Sequence, residues 1–191
     1  MRSGGYMKCL VMKFGKGNKR ISLLHMRRPF GIGIGGMVTS PMFKEQIPII
    51  VQKQDDSDEE FKLAYLGVGK SGLLPRIVMS EEVFYDIKRG KPYARMILMH
   101  ELGHFVRKDH LLPKDKRDEE RTSQSASGQV SEEELGADAF AVEYLGLETV
   151  KQGFVELRKI IETISKDYDG VDNALIEIDL RLNALTTVYN T

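Results

Sequence analysis

The hydrophobic periodicity of this chain changes near residue 80, and that change limits its fold class. Before it, apolar and polar residues roughly alternate in short runs bounded by turn-forming residues, which is typical of strands. KCLVMKF and KRISLLHM flank the Gly-rich turn GKGN, so a β-hairpin is predicted at about 8–26. Further strands are predicted at 47–52, 61–68 and 76–80.

Beyond residue 80 the spacing of apolar residues becomes helical. Ser80 can cap a short helix that ends at Gly90, and Pro92 can open the next one. Apolar residues at alternating spacings of three and four predict amphipathic helices at 147–164 and 172–185, with their stripes in the core.

Strands followed by helices predict an α+β fold, with an N-terminal β-sheet built around the hairpin. A chain of 191 residues is long enough for one domain with a sizeable core, so we expect a single domain over 1–191. Residues 1–80 are predicted to be mainly strands and 81–191 mainly helices. The charged, then Ser-rich stretch at 107–130 is predicted to be an exposed loop.

Composition narrows the kind of site that this chain can build. The formal net charge is zero, so no global field favours nucleic acid. Cys9 is the single cysteine, which excludes an internal disulfide and zinc sites built on several cysteines. No apolar run approaches the roughly 20 residues of a membrane span, and no signal peptide is recognisable. We therefore expect a cytoplasmic protein whose metal site, if present, uses His and carboxylate ligands.

Two N-terminal features have simple structural interpretations. Residues 1–44 contain nine Lys or Arg and no acid, which fits a solvated sheet face, with nucleic-acid binding as the lesser alternative. GIGIGGM, from Gly31, formally contains G-x-G-x-x-G, but the following VTSPMF opens no helix. We interpret it as a flexible or closely packed glycine loop that binds no cofactor.

Three of the four histidines lie in MHELGHFVRKDH, residues 99–110. On a helix, His100 and His104 share one face, and both imidazoles can reach one ion at about 2.1 Å. Glu101 lies about 100° round the helix, beside the ion, where a base can take a proton from activated water. The H-E-x-x-H motif therefore predicts one Zn²⁺ per chain.

Such a site needs a third protein ligand. His110 has the spacing of the metzincin motif H-E-x-x-H-x-x-G-x-x-H, but Arg107 replaces the glycine and no methionine follows Met99 for a methionine turn. An acid further along is the other candidate. Glu134 and Asp138 share a face of a helix that begins at Ser131, so one can ligate and the other can orient a histidine. Ser131 and Glu134 also fit a capping box, which needs no metal.

HELGH at 100–104 followed by E-x-x-A-D at 134–138 resembles the gluzincin metallopeptidases. The second motif is similar to the equivalent helix of HtpX-like peptidases, and the short distance between motifs resembles the ImmA/IrrE-like group. DLRLNAL at 179–185 is similar to an Arg-containing helix late in HtpX-type domains. The resemblance implies a zincin-like fold, His100, His104 and Glu134 as zinc ligands, Glu101 as general base and Asp138 as hydrogen-bond partner of a ligand.

We therefore expect a zinc metalloendopeptidase that cleaves an intracellular protein substrate. His110 and Tyr144 are candidate donors to the oxyanion, and the strand at 76–80 could bind a peptide as an added strand. Two alternatives have no catalytic role: a zinc-stabilised interaction module, and a phage or virion assembly protein with a peptidase-like fold. The ligand set would also accept other first-row metals.

Overall fold

The structure is a computed structural model that describes residues 9–30, 33–52, 63–67, 75–109, 129–163 and 171–189. Within these ranges the chain is α+β, with a six-stranded sheet followed by five α-helices. The strands are β1 (Cys9–Phe14), β2 (Ile21–Phe30), β3 (Ile34–Ser40), β4 (Phe43–Gln52), β5 (Ala64–Gly67) and β6 (Arg76–Ser80). The helices are α1 (Glu81–Arg89), α2 (Pro92–Arg107), α3 (Glu132–Leu145), α4 (Leu147–Thr163) and α5 (Val171–Tyr189), and a 3-10 turn spans Gly17–Lys19.

The sheet is mixed, in the order β1-β2-β3-β4-β6-β5. Every neighbouring pair is antiparallel except β4 and β6, which are parallel. The predicted strand at 76–80 is present as β6, but it lies between β4 and β5. It therefore cannot take up a peptide as an added strand, and among the described strands the sheet edge on this side is β5.

The glycine-rich segment, which we interpreted as a flexible or closely packed loop, forms β3 from Ile34 onward, and residues 31–32 lie outside the described residues. The loop was therefore wrong, whereas the close packing is present. Gly is depleted in strands, but here the close approach of neighbours requires it. A Cβ on Gly35 would overlap the side chains of Val51 and Phe84, and one on Gly36 would lie 2.8 Å from the Leu24 carbonyl oxygen. The absence of side chains at these glycines therefore allows β3 to pack closely against Val51, Phe84 and the backbone of β2.

The helix boundaries follow local sequence signals. The Ser80 hydroxyl accepts a hydrogen bond from the Val83 N–H at 3.3 Å, and Gly90 ends α1 with φ 82°. Pro92 is the first residue of α2, where its missing N–H has no cost. The Ser131 hydroxyl caps α3 by accepting from the Glu134 N–H at 3.2 Å. Of the loop predicted at 107–130, Arg107 belongs to α2, and residues 110–128 lie outside the described residues.

Helix α2 is the centre of the helical layer. It packs against α1, α3, α4 and β5, and eleven of its sixteen residues are buried. Its sequence is apolar on nearly every side, as a helix enclosed by other elements requires. The polar residues buried within it, His100 and Glu101, therefore need partners from neighbouring elements. No helix in the described ranges has the length and apolar character that a bilayer crossing demands.

Candidate metal centre

The buried histidines of α2 meet a carboxylate from α3. His100 Nε2 lies 3.0 Å from Glu134 Oε2 and 3.0 Å from His104 Nε2, and His104 Nε2 lies 3.6 Å from Glu134 Oε1. His100 and Glu134 are buried and His104 is partly buried. While the Glu134 N–H satisfies the helix cap at Ser131, its carboxylate faces both imidazoles. The three side chains form a group that could hold a metal ion.

The spacing of the three ligand atoms fits a small ion. An ion with tetrahedral bonds of about 2.05 Å separates its ligand atoms by about 3.3 Å. The two Nε2 atoms are 3.0 Å apart, and each faces a different oxygen of Glu134, at 3.0 Å for His100 and 3.6 Å for His104. With one ligand atom taken from each residue, the three atoms lie within 4.8 Å of one another. Two imidazole nitrogens and one carboxylate oxygen are also a donor set that zinc accepts.

His100 is oriented by Asp138 and Arg181. Asp138 Oδ1 lies 2.8 Å from His100 Nδ1, and the Arg181 Nε donates to Asp138 Oδ2 at 2.9 Å. Arg181 Nη2 also lies 2.9 Å from His100 Nδ1, and it donates to Asp138 Oδ1 at 2.5 Å. Because a carboxylate can only accept, we assign the Nδ1 hydrogen to the contact with Asp138, and Nε2 faces Glu134. Arg181 Nη1 also lies 3.3 Å from Glu134 Oε2. The guanidinium of α5 thus compensates both carboxylates of α3.

His104 is oriented from the other side by the residue that follows the turn after α2. Its Nδ1 lies 2.9 Å from Asp109 Oδ2, and Asp109 is buried. Both histidines therefore present Nε2 to the group and Nδ1 to an aspartate.

Glu101 lies beside the group and is also buried. Burial raises the pKa of its carboxyl, while the charge of His100 and a hydrogen bond from the Leu66 backbone N–H of β5 oppose that rise. A raised pKa suits a group that takes up and releases a proton near neutral pH. The hydrogen bond also ties Glu101 to the edge strand.

The pKa values of His100 and Glu134 depend on each other, and both depend on the charge of Arg181. Burial and the Arg181 charge lower the pKa of His100, but Glu134 and Asp138 outweigh them and raise it to about 9. Burial raises the pKa of Glu134, and His100 and Arg181 hold it well below its usual range. These directions are those of a charged His100 imidazolium paired with the Glu134 carboxylate. Binding of a metal at these ligands would therefore release a proton.

The structure brings together Glu101, His100, His104, Glu134 and Asp138, but not every residue singled out from the sequence. Tyr144 is ten residues beyond Glu134 on α3, about 15 Å along the helix axis. Its hydroxyl donates to Met42 Sδ, in the turn between β3 and β4, at 3.0 Å. Tyr144 is therefore not placed to stabilise an oxyanion at this group. His110 lies outside the described residues.

The sequence analysis assigned no contact to Arg181 or Asp109, although DLRLNAL, which contains Arg181, was singled out there. Arg181 is three residues after the buried Ile178, so it lies on the inward side of an amphipathic helix, where a charge needs a buried partner. Asp109 directly follows the residue that ends the H-E-x-x-H helix, within reach of its last turn. Both signals depend on knowing how the elements pack.

Comparison of the chain with protein-family models, with curated proteins and with solved structures finds no match. The functional argument therefore depends on the geometry of the group and on its chemistry.

Proposed function

We propose that this protein is a zinc-dependent metalloendopeptidase with a zincin-like fold, of the gluzincin type. The observation that carries the proposal is that one ligand atom from each of His100, His104 and Glu134 lies within 4.8 Å of the others, with the buried Glu101 beside them. A site that only stabilised the fold would have no use for a second buried carboxylate held in this position. His100, His104 and Glu134 would hold the ion.

A bound zinc ion supplies Lewis acidity, which activates water and polarises a peptide carbonyl. Glu101 accepts the proton of the attacking water at its carboxylate and donates it to the departing amine nitrogen. Its burial keeps bulk water from competing for that proton. Asp138 and Arg181 hold the His100 ring with Nδ1 toward Asp138, so that Nε2 is the nitrogen presented to the ligand group.

The edge strand β5 is the surface on which we expect a peptide substrate to bind. Leu63 O accepts from the Ser80 N–H at 2.9 Å, and hydrogen-bonded pairs alternate along an antiparallel ladder. The backbone groups of Ala64 and Leu66 therefore point away from β6. The Leu66 N–H is bonded to Glu101, so the backbone groups of Ala64 are the ones left for an added peptide, which would lie next to the proposed base. The single cysteine fits our proposal that the substrate is an intracellular protein and the compartment the cytoplasm.

The proposal is tested with Glu101→Gln, which preserves the size of the side chain and removes its basicity. We expect the variant to bind as much zinc as the wild type and to lose cleavage of an unfolded casein substrate by a factor of about 10² or more. Glu132→Gln, an exposed position in the first turn of α3, is the matched control and retains activity. Cleavage by Glu101→Gln at the wild-type rate would rule out the mechanism. A wild type that binds zinc and cleaves nothing would favour a zinc-stabilised interaction module.

A further inference from the structure

The chain turns back sharply where α2 ends. Lys108 has φ 65°, and within the described ranges it is the only residue other than glycine with a positive φ. Its N–H bonds to carbonyl oxygens of the last turn of α2, including that of Phe105 at 3.1 Å. This left-handed residue directs the next one, Asp109, back alongside the helix, where it is 7% exposed.

Asp109 reaches the metal-binding group through His104. Its Oδ2 lies 2.9 Å from His104 Nδ1, and the opposite ring nitrogen faces His100 Nε2 at 3.0 Å. A carboxylate accepts and cannot donate, so Nδ1 carries the hydrogen and Nε2 keeps its lone pair for a ligand. Without such an acceptor, the imidazole ring can rotate, or its hydrogen can move from Nδ1 to Nε2.

The Asp109 carboxylate is itself held in place by Arg107. The Arg107 Nε lies 3.4 Å from Asp109 Oδ2, and its Nη2 donates to the Glu132 carbonyl oxygen of α3 at 3.5 Å. The guanidinium fills the space that a Cβ on Gly136 would occupy. Arg107 thus connects Asp109 to the same helix that carries Glu134.

We propose that Asp109 is a positioning residue that fixes the tautomer and ring orientation of His104, as Asp138 does for His100. The inference rests on the proposed metal site for its consequence, since the effect of the fixed tautomer is tighter metal binding. Partners of this kind typically contribute 10- to 100-fold in metal affinity. The contact itself exists in the protein without metal, so it can be measured independently.

The test compares Asp109→Ala and Asp109→Asn with the wild type. Asp86→Ala is the matched control, because Asp86 is also 7% exposed and accepts hydrogen bonds, from the Tyr93 hydroxyl at 2.6 Å and Arg89 at 2.9 Å, away from the group. Proton–nitrogen correlation spectra of the imidazoles in metal-free protein report the His104 tautomer. Chelator competition with Zn²⁺ reports affinity.

We expect Nδ1–H at His104 in the wild type and a shift toward Nε2–H in Asp109→Ala, with zinc affinity about 10- to 100-fold lower. Asp109→Asn retains an acceptor oxygen and therefore the tautomer, with a smaller loss of affinity. Asp86→Ala changes neither readout. If Asp109→Ala folds and leaves the tautomer unchanged, or if Asp109→Asn has the Nε2–H form, the inference is overturned. A tautomer shift in a protein that binds no zinc would support the role of Asp109 while refuting the proposed function.

Discussion

Gly103 of α2 lies directly against Ala137 of α3. A Cβ on Gly103 would be 2.8 Å from the Ala137 Cα, closer than real Cβ atoms approach a backbone atom, and 3.0 Å from the Ala137 carbonyl oxygen. Gly103 stands between His100 and His104, and Ala137 stands between Glu134 and Asp138. The absence of one side chain thus allows the two helices to approach closely enough for their ligands to share an ion.

Gly103→Ala should therefore separate the helices and weaken metal binding. Overpacking of this kind costs about 1–3 kcal/mol, only partly offset by the gain of about 1 kcal/mol in helix propensity. We expect a lower melting temperature and zinc affinity reduced at least tenfold, measured by thermal unfolding and chelator competition.

The control for that variant is Gly153→Ala, on α4. There a Cβ would lie 3.0 Å from Met96 and 3.2 Å from the Pro92 carbonyl oxygen, a crowded position away from the ligands. It should lower stability and leave zinc affinity unchanged. Equal zinc affinity in the Gly103 and Gly153 variants would contradict the role that we assign to the close approach of α2 and α3.

Arg181→Met should make the protein more dependent on metal. The guanidinium compensates Glu134 and Asp138, and its removal leaves buried carboxylates without a cation, at a cost of about 3–5 kcal/mol in the metal-free protein. A bound divalent cation would compensate the negative charges of Glu134 and Asp138 in place of the guanidinium. We expect a lower melting temperature without zinc and a larger rise on adding zinc than in the wild type.

Arg158→Met is the matched comparison, because Arg158 of α4 pairs with Asp179 of α5 at a more exposed position that does not include the ligands. It should leave the zinc-induced rise in melting temperature at the wild-type value. A rise in Arg181→Met that is no larger than the wild-type rise would argue against Arg181 as the compensating charge.

His25 should make stability dependent on pH below neutrality. Its ring stacks on Phe84 at 3.9 Å, and its Nε2 donates to the Phe84 carbonyl oxygen at 2.8 Å. Burial, and to a lesser extent the charge of Lys88, lowers its pKa from the usual 6.5. The unfolded chain therefore binds a proton more readily, and stability falls as pH falls below about 6.5.

The measurement is the free energy of unfolding in urea from pH 7.5 to 5 for the wild type and His25→Gln. One proton contributes at most about 1.4 kcal/mol per pH unit to the slope. The difference between the two proteins isolates His25 from the histidines of α2. Parallel curves would show that burial of His25 does not contribute to the acid sensitivity.

The sequence predicted the elements whose signals are local. The hairpin around residues 17–19, the Ser80 cap, the Pro92 helix start and the Ser131 cap depend on neighbours within a few residues. β3 was missed because the reason for its glycines is the proximity of Val51 and Phe84, which are distant in sequence. The same limit hid the position of β6 inside the sheet.

The candidate site divides in the same way. The spacing of His100, Glu101 and His104 on one helix predicts their relation, because helical geometry determines it. The sequence left the third ligand open, because the packing of α3 on α2 is what brings Glu134 to the histidines. Arg181 lies on α5 and contacts residues of α2 and α3. No pattern within α5 predicts these partners.

Zinc bound per chain by Glu134→Ala, compared with the wild type and Glu132→Ala, tests the central claim most directly. After equilibration with Zn²⁺ and removal of the excess, native mass spectrometry counts the zinc ions bound to each chain. We expect one ion in the wild type, one in Glu132→Ala, which changes an exposed residue of the same helix turn, and none in folded Glu134→Ala. A wild type that binds no zinc, or a Glu134→Ala variant that retains a full ion at unchanged affinity, would contradict the site proposed for this protein.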